Sequence, residues 1–130
     1  MTEISYQLNP EASHDAMNRL FAAAWTDHHE TDFTPVLSRS LVYICAYHEA
    51  QLVGFVNVAW DGGIHAFILD TCVDPDYRRQ GIALRLVARA VEASRARGAL
   101  WLHVDFEPHL EEFYRQCGFG RTAAGLMRLK

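Results

Sequence analysis

The sequence predicts one mixed α/β domain, with a mostly antiparallel sheet flanked by helices. Its middle is a three-strand meander that leads into a right-handed strand-helix-strand unit. Three observations predict it. The chain has 130 residues, enough for one hydrophobic core and short of two. Half of the residues are hydrophobic and 22% are charged, so buried apolar surface can offset the entropy of ordering the chain. The apolar period also switches along the chain between the three-and-four spacing of helices and the alternation of strands.

Residues 4–8 alternate and stop at Asn9-Pro10, giving a first strand. Ala16, Met17, Leu20, Phe21, Ala24 and Trp25 share one helical face, so residues 13–25 form an amphipathic helix with Ser13 or Asn9 as cap. Residues 33–39 make a further helical turn, with Pro35 tolerated only near its start. Residues 41–47 and 52–60 are rich in Val, Tyr, Ile and Phe, and His48-Glu49-Ala50-Gln51 joins them as a hairpin. Asp61-Gly62-Gly63 turns the chain into a strand over 65–73, closed by Asp74-Pro75-Asp76. Ile82, Leu86, Val87, Ala90, Val91 and Ser94 trace one face of the longest helix, and Gly98 sits where a stop is expected. A buried strand over 100–104 and a short helix over 109–116 follow, and residues 122–130 offer one or two last strands around Gly125.

Composition excludes several functions. Lys plus Arg number 12 against 16 Asp plus Glu, a net charge of -4, which argues against nucleic acid as a partner. Arg85, Arg89, Arg95 and Arg97 read as a solvated helix face. Cys45, Cys72 and Cys117 are odd in number and widely spaced, so no disulfide framework or zinc site is expected, and a reducing cytoplasm is the expected location. Neither a membrane span nor an export signal is expected, because no apolar run is long enough and residues 1–10 lack the basic-then-apolar order.

The run Val73-Asp74-Pro75-Asp76-Tyr77-Arg78-Arg79-Gln80-Gly81-Ile82-Ala83 places a strand, a tight turn and a glycine at the mouth of a long helix. Amides at a helix start lack intrahelical acceptors and the helix dipole adds positive character, so an anion such as pyrophosphate is stabilised there. Gly81 and Ala83 leave room for it, and Arg78 and Arg79 add charge. No Gly-Lys-Ser/Thr follows, which excludes a Walker loop, and the first glycine of a dinucleotide fingerprint is missing.

This run resembles the acetyl-CoA pyrophosphate loop of the GNAT superfamily of N-acetyltransferases, Gln/Arg-x-x-Gly-x-Gly/Ala. Glu112-Phe113-Tyr114-Arg115-Gln116-Cys117-Gly118-Phe119 is similar to that family's closing helix. The resemblance implies a sheet splayed between its fourth and fifth strands. Acetyl-CoA would be co-substrate, with no metal, and direct transfer to a primary amine of a small molecule or peptide would occur in a ternary complex. Main-chain groups of Thr71, Cys72 and Val73 would pair with the pantetheine arm. The amides of Arg78, Arg79, Gln80, Gly81, Ile82 and Ala83 would hold the pyrophosphate. Tyr114 is similar to the tyrosine that protonates the departing thiolate, a donor's role that a phenol fills at neutral pH. A non-catalytic acyl-CoA sensor on the same scaffold is the alternative.

The general base stays open among His65, Asp70, His103 and Asp105, with Asp70 and His103 ranked ahead. Alternation puts His65, Phe67, Leu69 and Thr71 on one face and Asp70 with Cys72 on the other, unless a bulge intervenes. Glu107 and Leu110 stand where many members of the family carry Asn and Ala, and Glu107 is expected to face the amine rather than a phosphate. Asp27, His28, His29, Glu30 and Asp32 read as a solvated loop more than a cation or metal site. Trp25, Phe33, Trp60 and Phe67 read as core more than acceptor pocket. The tail is short for the family, and completing its strands with a neighbouring subunit is one remedy, which raises a homodimer as an assembly.

Overall fold

The computed structural model describes residues 3–130. In chain order it contains β1 (Ser5–Leu8), α1 (His14–Ala24), α2 (Thr34–Leu37), β2 (Ser40–His48), β3 (Gln51–Trp60) and β4 (His65–Val73). After a 3-10 turn at Pro75–Tyr77 come α3 (Ile82–Ala96), β5 (Trp101–Val104), a second 3-10 turn at Pro108–Leu110 and α4 (Glu111–Gln116). The strands lie in sequence order in one sheet, antiparallel from β1 to β4 and parallel between β4 and β5.

Local chemistry fixes the boundaries. Ser13 Oγ accepts the Ala16 amide at 3.0 Å and caps α1, satisfying one of the donors that a helix start leaves free. Asn9 instead ends β1, taking φ 51° while its Oδ1 accepts the Tyr43 amide at 2.9 Å. Gly98, at φ 91°, lets the chain leave α3 in the left-handed conformation that side chains resist.

The sheet separates two apolar layers. α3 buries Ile82, Leu86, Ala90 and Ala93 against Val42, Ile44, Val56, Val58, Ala66 and Ile68. α1 buries Met17, Leu20 and Phe21 on the opposite face, against Cys45, Leu52, Phe55 and Cys72. Each fully buried Leu, Ile or Phe is worth about 1.5–3 kcal/mol of transfer free energy, so these two layers hold both helices to the sheet.

Three expectations need correction. β5 is not a buried strand but the sheet edge: Leu100 is 67% exposed and Trp101 59%, while Leu102 and Val104 alone turn toward α3. The tail forms no strand, since among the described residues none beyond Gln116 lies in a helix or strand. Leu126, Met127 and Leu129 do not alternate and are all at least 80% exposed, so pairing them would bury too little to offset the ordering cost. Strict alternation along β4 fails as well. Phe55 pairs with Cys72 and Asn57 with Leu69, so one residue of β3, Val56, opposes two of β4, Asp70 and Thr71. The extra residue is a bulge with Asp70 at φ 58°, and it reverses which face later side chains take. Ala66 and Ile68 precede it and face α3, as does Val73 after it; Cys72 faces α1.

Candidate active site

β4 and β5 are paired only from His65↔Trp101 to Ile68↔Val104. Beyond Ile68 the bulge turns β4 away from β5, so residues 69–73 have β3 on one side and, among the described residues, no strand on the other. An exposed strand edge of this kind offers main-chain donors and acceptors to an extended ligand.

The chain from this edge to α3 is held by its own turn. Asp74 donates its amide to Val53 O at 2.8 Å, and its Oδ1 accepts the Asp76 amide at 2.9 Å. Tyr77 shares a 2.7 Å hydrogen bond with His48 Nδ1, tying the loop to the β2–β3 hairpin. Arg79 and Gly81 then adopt φ 63° and 78°. Gly81 is the α3 N-cap and supplies no side-chain acceptor to the first turn of the helix. Amides of Ile82, Ala83 and Leu84 are therefore available to an anion, and the left-handed residues before them curl the backbone into an anion-binding concavity. A Cβ at position 81 would meet only Arg85 Nη1, at 3.9 Å. The glycine is needed there for its φ as well as for ligand approach.

These elements border one groove of about 680 Å³. Thr71, Cys72, Val73, Arg78, Arg79, Gly81, Ile82 and Ala83 all line it; Gln80, Tyr114, Asp70 and His103 do not. Its other wall is Trp25, His109, Leu110, Phe113 and Gln116. Of that wall the sequence singled out Trp25, Leu110 and, within the closing-helix motif, Phe113 and Gln116; His109 it gave no functional role. The groove-facing spacing Leu110, Phe113, Gln116 was the available signal, at helical intervals on α4 and its preceding turn.

Tyr114 is buried behind this wall, stacked on Phe106 at 5.0 Å and edge-on to Phe113 and Phe119 at 4.9 and 5.8 Å. Burial pushes its pKa up, with the Thr71 hydroxyl opposing and Cys117 adding a smaller rise, so it stays a protonated donor through neutral pH. Thr71 Oγ1 is itself buried and has no hydrogen-bond partner. Among the described residues bordering the groove it is the orphaned hydroxyl, close to the Tyr114 phenol, and such a group is stabilised when a ligand or a reoriented phenol completes it.

Asp70 sits on the bulge, solvent-accessible yet crowded enough that desolvation raises its carboxyl above the usual carboxylate range. His103 hydrogen-bonds His65, 2.8 Å from its Nε2 to His65 Nδ1, and stacks on Phe67 at 4.6 Å. Asp105 lies just past the end of β5, exposed. Glu107 is exposed too and lies 3.6 Å from His109. Burial raises the Cys72 thiol, and the Cys45 thiol is pushed up to about 12, so neither is a thiolate nucleophile near neutral pH.

The loop at 27–32 is organised by Asn18, whose amide donates to Thr31 O at 2.9 Å and whose Oδ1 accepts the Thr31 amide at 2.8 Å. His28 Nε2 reaches the same Oδ1 at 2.8 Å, and its ring stacks on Phe33. Asp32 accepts the Thr34 amide at 3.0 Å ahead of α2, which lowers its pKa. These side chains hold a loop together. Phe33 packs on Phe21 as core, and Trp60 donates to Gly63 O at the far end of the sheet. Trp60 and Phe67, both expected in the core, are exposed. Among the described residues no group of three or more His, Cys, Asp or Glu could hold a metal ion, and no helix is long and apolar enough to cross a membrane.

Comparison with known proteins agrees with this geometry. Residues 8–119 match the acetyltransferase (GNAT) family. A chloroplastic GCN5-related N-acetyltransferase 1 of Arabidopsis thaliana is 27% identical over 115 residues, 86% of this chain and 58% of that protein. A probable glucosamine 6-phosphate N-acetyltransferase 2 of Oryza sativa subsp. japonica is 36% identical over 58 residues, 45% of this chain and 35% of its own length. The chain thus spans little more than half, or less, of these curated relatives. Among solved structures, a GNAT family acetyltransferase from Streptococcus pneumoniae TIGR4 superposes with a TM-score of 0.81 at 24% identity, covering 98% of this chain and 100% of that one. An aminoglycoside N-acetyltransferase solved in complex with CoA gives 0.79 at 16% identity, covering 100% and 96%. With the splayed strands, the left-handed glycine loop and a family match across most of its length, the chain belongs to the GNAT family of acetyltransferases.

Proposed function

We propose that the protein is a single-domain N-acetyltransferase that moves an acetyl group from acetyl-CoA to a primary amine of a small molecule or peptide, by direct transfer in a ternary complex. The observation that carries this is the continuity of one groove from the free edge of β4, past the α3 amides, to the α4 wall in front of Tyr114. Pantetheine pairs with Thr71, Cys72 and Val73, and the pyrophosphate lies on the amides from Arg78 to Ala83 with Arg78 and Arg79 adding charge. Gln80 contributes only its main chain.

The thioester then sits where β4 and β5 part. Binding the two substrates side by side supplies orientation, and this is the main contribution to rate. The amine must shed a proton before attack, with Asp70 or His103 as the base, and the thiolate gains one from Tyr114. Support for the acid role is that burial keeps the phenol protonated and Thr71 Oγ1 lies free to orient it. A small amine fits the names of the relatives, since an aminoglycoside and glucosamine 6-phosphate are both amines.

The test mixes the protein with acetyl-CoA and a panel of polyamines, aminoglycosides, amino sugars, arylamines and lysine peptides, and follows free thiol. Amine-dependent thiol release that falls on Tyr114→Phe is the expected result. Saturable CoA binding with no turnover on any amine would favour a sensor instead.

A further inference from the structure

We propose that His65 and His103 work as one unit, a two-imidazole relay that takes the acceptor amine's proton at the parting of β4 and β5 and releases it toward solvent. This rests on the acetyl-transfer reading given above and adds the identity of the proton path. The pair lies on the sheet face that carries α1 and α2. Those helices pack on β2, β3 and β4, and the apolar cluster under them extends to Phe55 and Cys72. Phe67, Leu69 and Trp101 are left exposed beside the two rings. The register pairs His65 with Trp101 and Phe67 with His103, which brings both imidazoles and the phenyl ring onto one open surface. His103 is one residue short of Val104, the last paired position of β5, and so stands next to the gap. His65 is at the opposite end, beside the Asp61 turn, whose carboxylate accepts the His65 amide at 3.3 Å.

The 2.8 Å contact joins His65 Nδ1 to His103 Nε2, so one proton lies between them whichever ring carries it. Each neutral imidazole has one N-H and one lone pair. The pair therefore always presents one lone pair and one N-H at its two outer nitrogens, His103 Nδ1 and His65 Nε2. With the shared proton on His103, the free lone pair is at His103 Nδ1, the end nearer the acetyl group. An ammonium gives its proton to that nitrogen, directly or through one water. The shared proton shifts from His103 Nε2 to His65 Nδ1, and the Nε2 proton of His65 passes to water. One proton enters and one leaves, neither ring holds a lasting charge, and the amine's electron pair is freed for the thioester carbon. Solvent exchange resets the tautomers after the product departs. Stacking on Phe67 at 4.6 Å with 20° between planes holds the His103 ring in place for this transfer. Among the described residues, the Asp61 carboxylate bonds the His65 amide, Asp70 follows Leu69 on the bulge of β4, and Asp105 follows Val104 at the end of β5.

The test compares kcat/KM against pH for the wild type, His65→Gln, His103→Gln and the double variant, using the best acceptor from the amine panel. Calorimetry with acetyl-CoA runs alongside, and unchanged affinity reports that each variant is folded; His65→Asn and His103→Asn replace any Gln variant that loses it. The relay predicts that each single variant loses roughly 10²-fold near neutral pH. It further predicts that the double variant loses no more than either alone, that all recover as pH approaches the amine's own pKa, and that added imidazole restores activity. Unchanged rates in either single variant, or losses that multiply in the double, overturn the relay while leaving acetyl transfer intact. A wild type that acetylates no amine overturns both.

Discussion

Gly54 of β3 lies directly beneath Leu86 of α3: a Cβ built on Gly54 would stand 3.0 Å from Leu86 Cδ1. It would also come within 3.1 Å of Ile82 Cγ2 and 3.3 Å of Ala46 Cβ. Ile82 is the first residue of α3, so the closeness of strand to helix here sets the height at which the helix presents its free amides to the groove. Gly54→Ala is expected to destabilise the fold by about 1–3 kcal/mol through overpacking. CoA affinity should fall as well, because the α3 start is pushed off the sheet. Thermal melts and calorimetry on one preparation check both.

Gly81→Ala acts differently. The site is open and its φ is 78°, so the cost is conformational, about 1–2 kcal/mol. A relaxed loop would misdirect the amides, and affinity for CoA is expected to fall while affinity for pantetheine is retained. Isothermal titration with the two ligands measures the difference.

Asp70 makes a signed pH prediction. Burial raises its carboxyl, so the folded state holds the proton more tightly than the unfolded chain. Its contribution is thus most favourable below the ordinary carboxylate pKa and is lost as pH rises through the raised folded value. Asp70→Asn keeps a residue tolerant of φ 58° and removes the charge. Its melting temperature is expected to exceed that of the wild type at pH 7, with the gain vanishing near pH 3 on melts across that range. Asp70→Val should be destabilised at every pH, because a β-branched residue resists that φ.

Tyr114→Phe removes a hydroxyl and keeps the ring that stacks on Phe106, Phe113 and Phe119. Turnover is expected to drop by roughly 10²-fold or more, with acetyl-CoA affinity within a factor of a few. Steady-state kinetics alongside calorimetry test it.

Much of this was readable in the residues. β4 was bounded correctly because Gly62-Gly63 and Asp74-Pro75 punctuate it, and α3 because its apolar stripe ends at Gly98. The loop from Arg78 to Ala83 was readable for the same reason: a glycine between a strand and a strong helix leaves few alternatives. Three features were not. The bulge at Asp70 arises from the pairing of β3 with β4, and nothing in the 65–73 segment alone marks where a residue will be left over. The His65–His103 contact depends on the register of two strands separated by the whole of α3. The edge position of β5 is not written in its own residues, because apolar Leu100 and Trp101 have the composition of a buried strand and are exposed only because no strand of the described tail covers them.

The most direct measurement is the ratio of dissociation constants for CoA and pantetheine, obtained by calorimetry on the intact chain. A diphosphate seated on the α3 amides with Arg78 and Arg79 beside it should make CoA bind at least about 10²-fold more tightly, on the order of 2.7 kcal/mol. Equal affinities, or no heat with CoA at all, would contradict it.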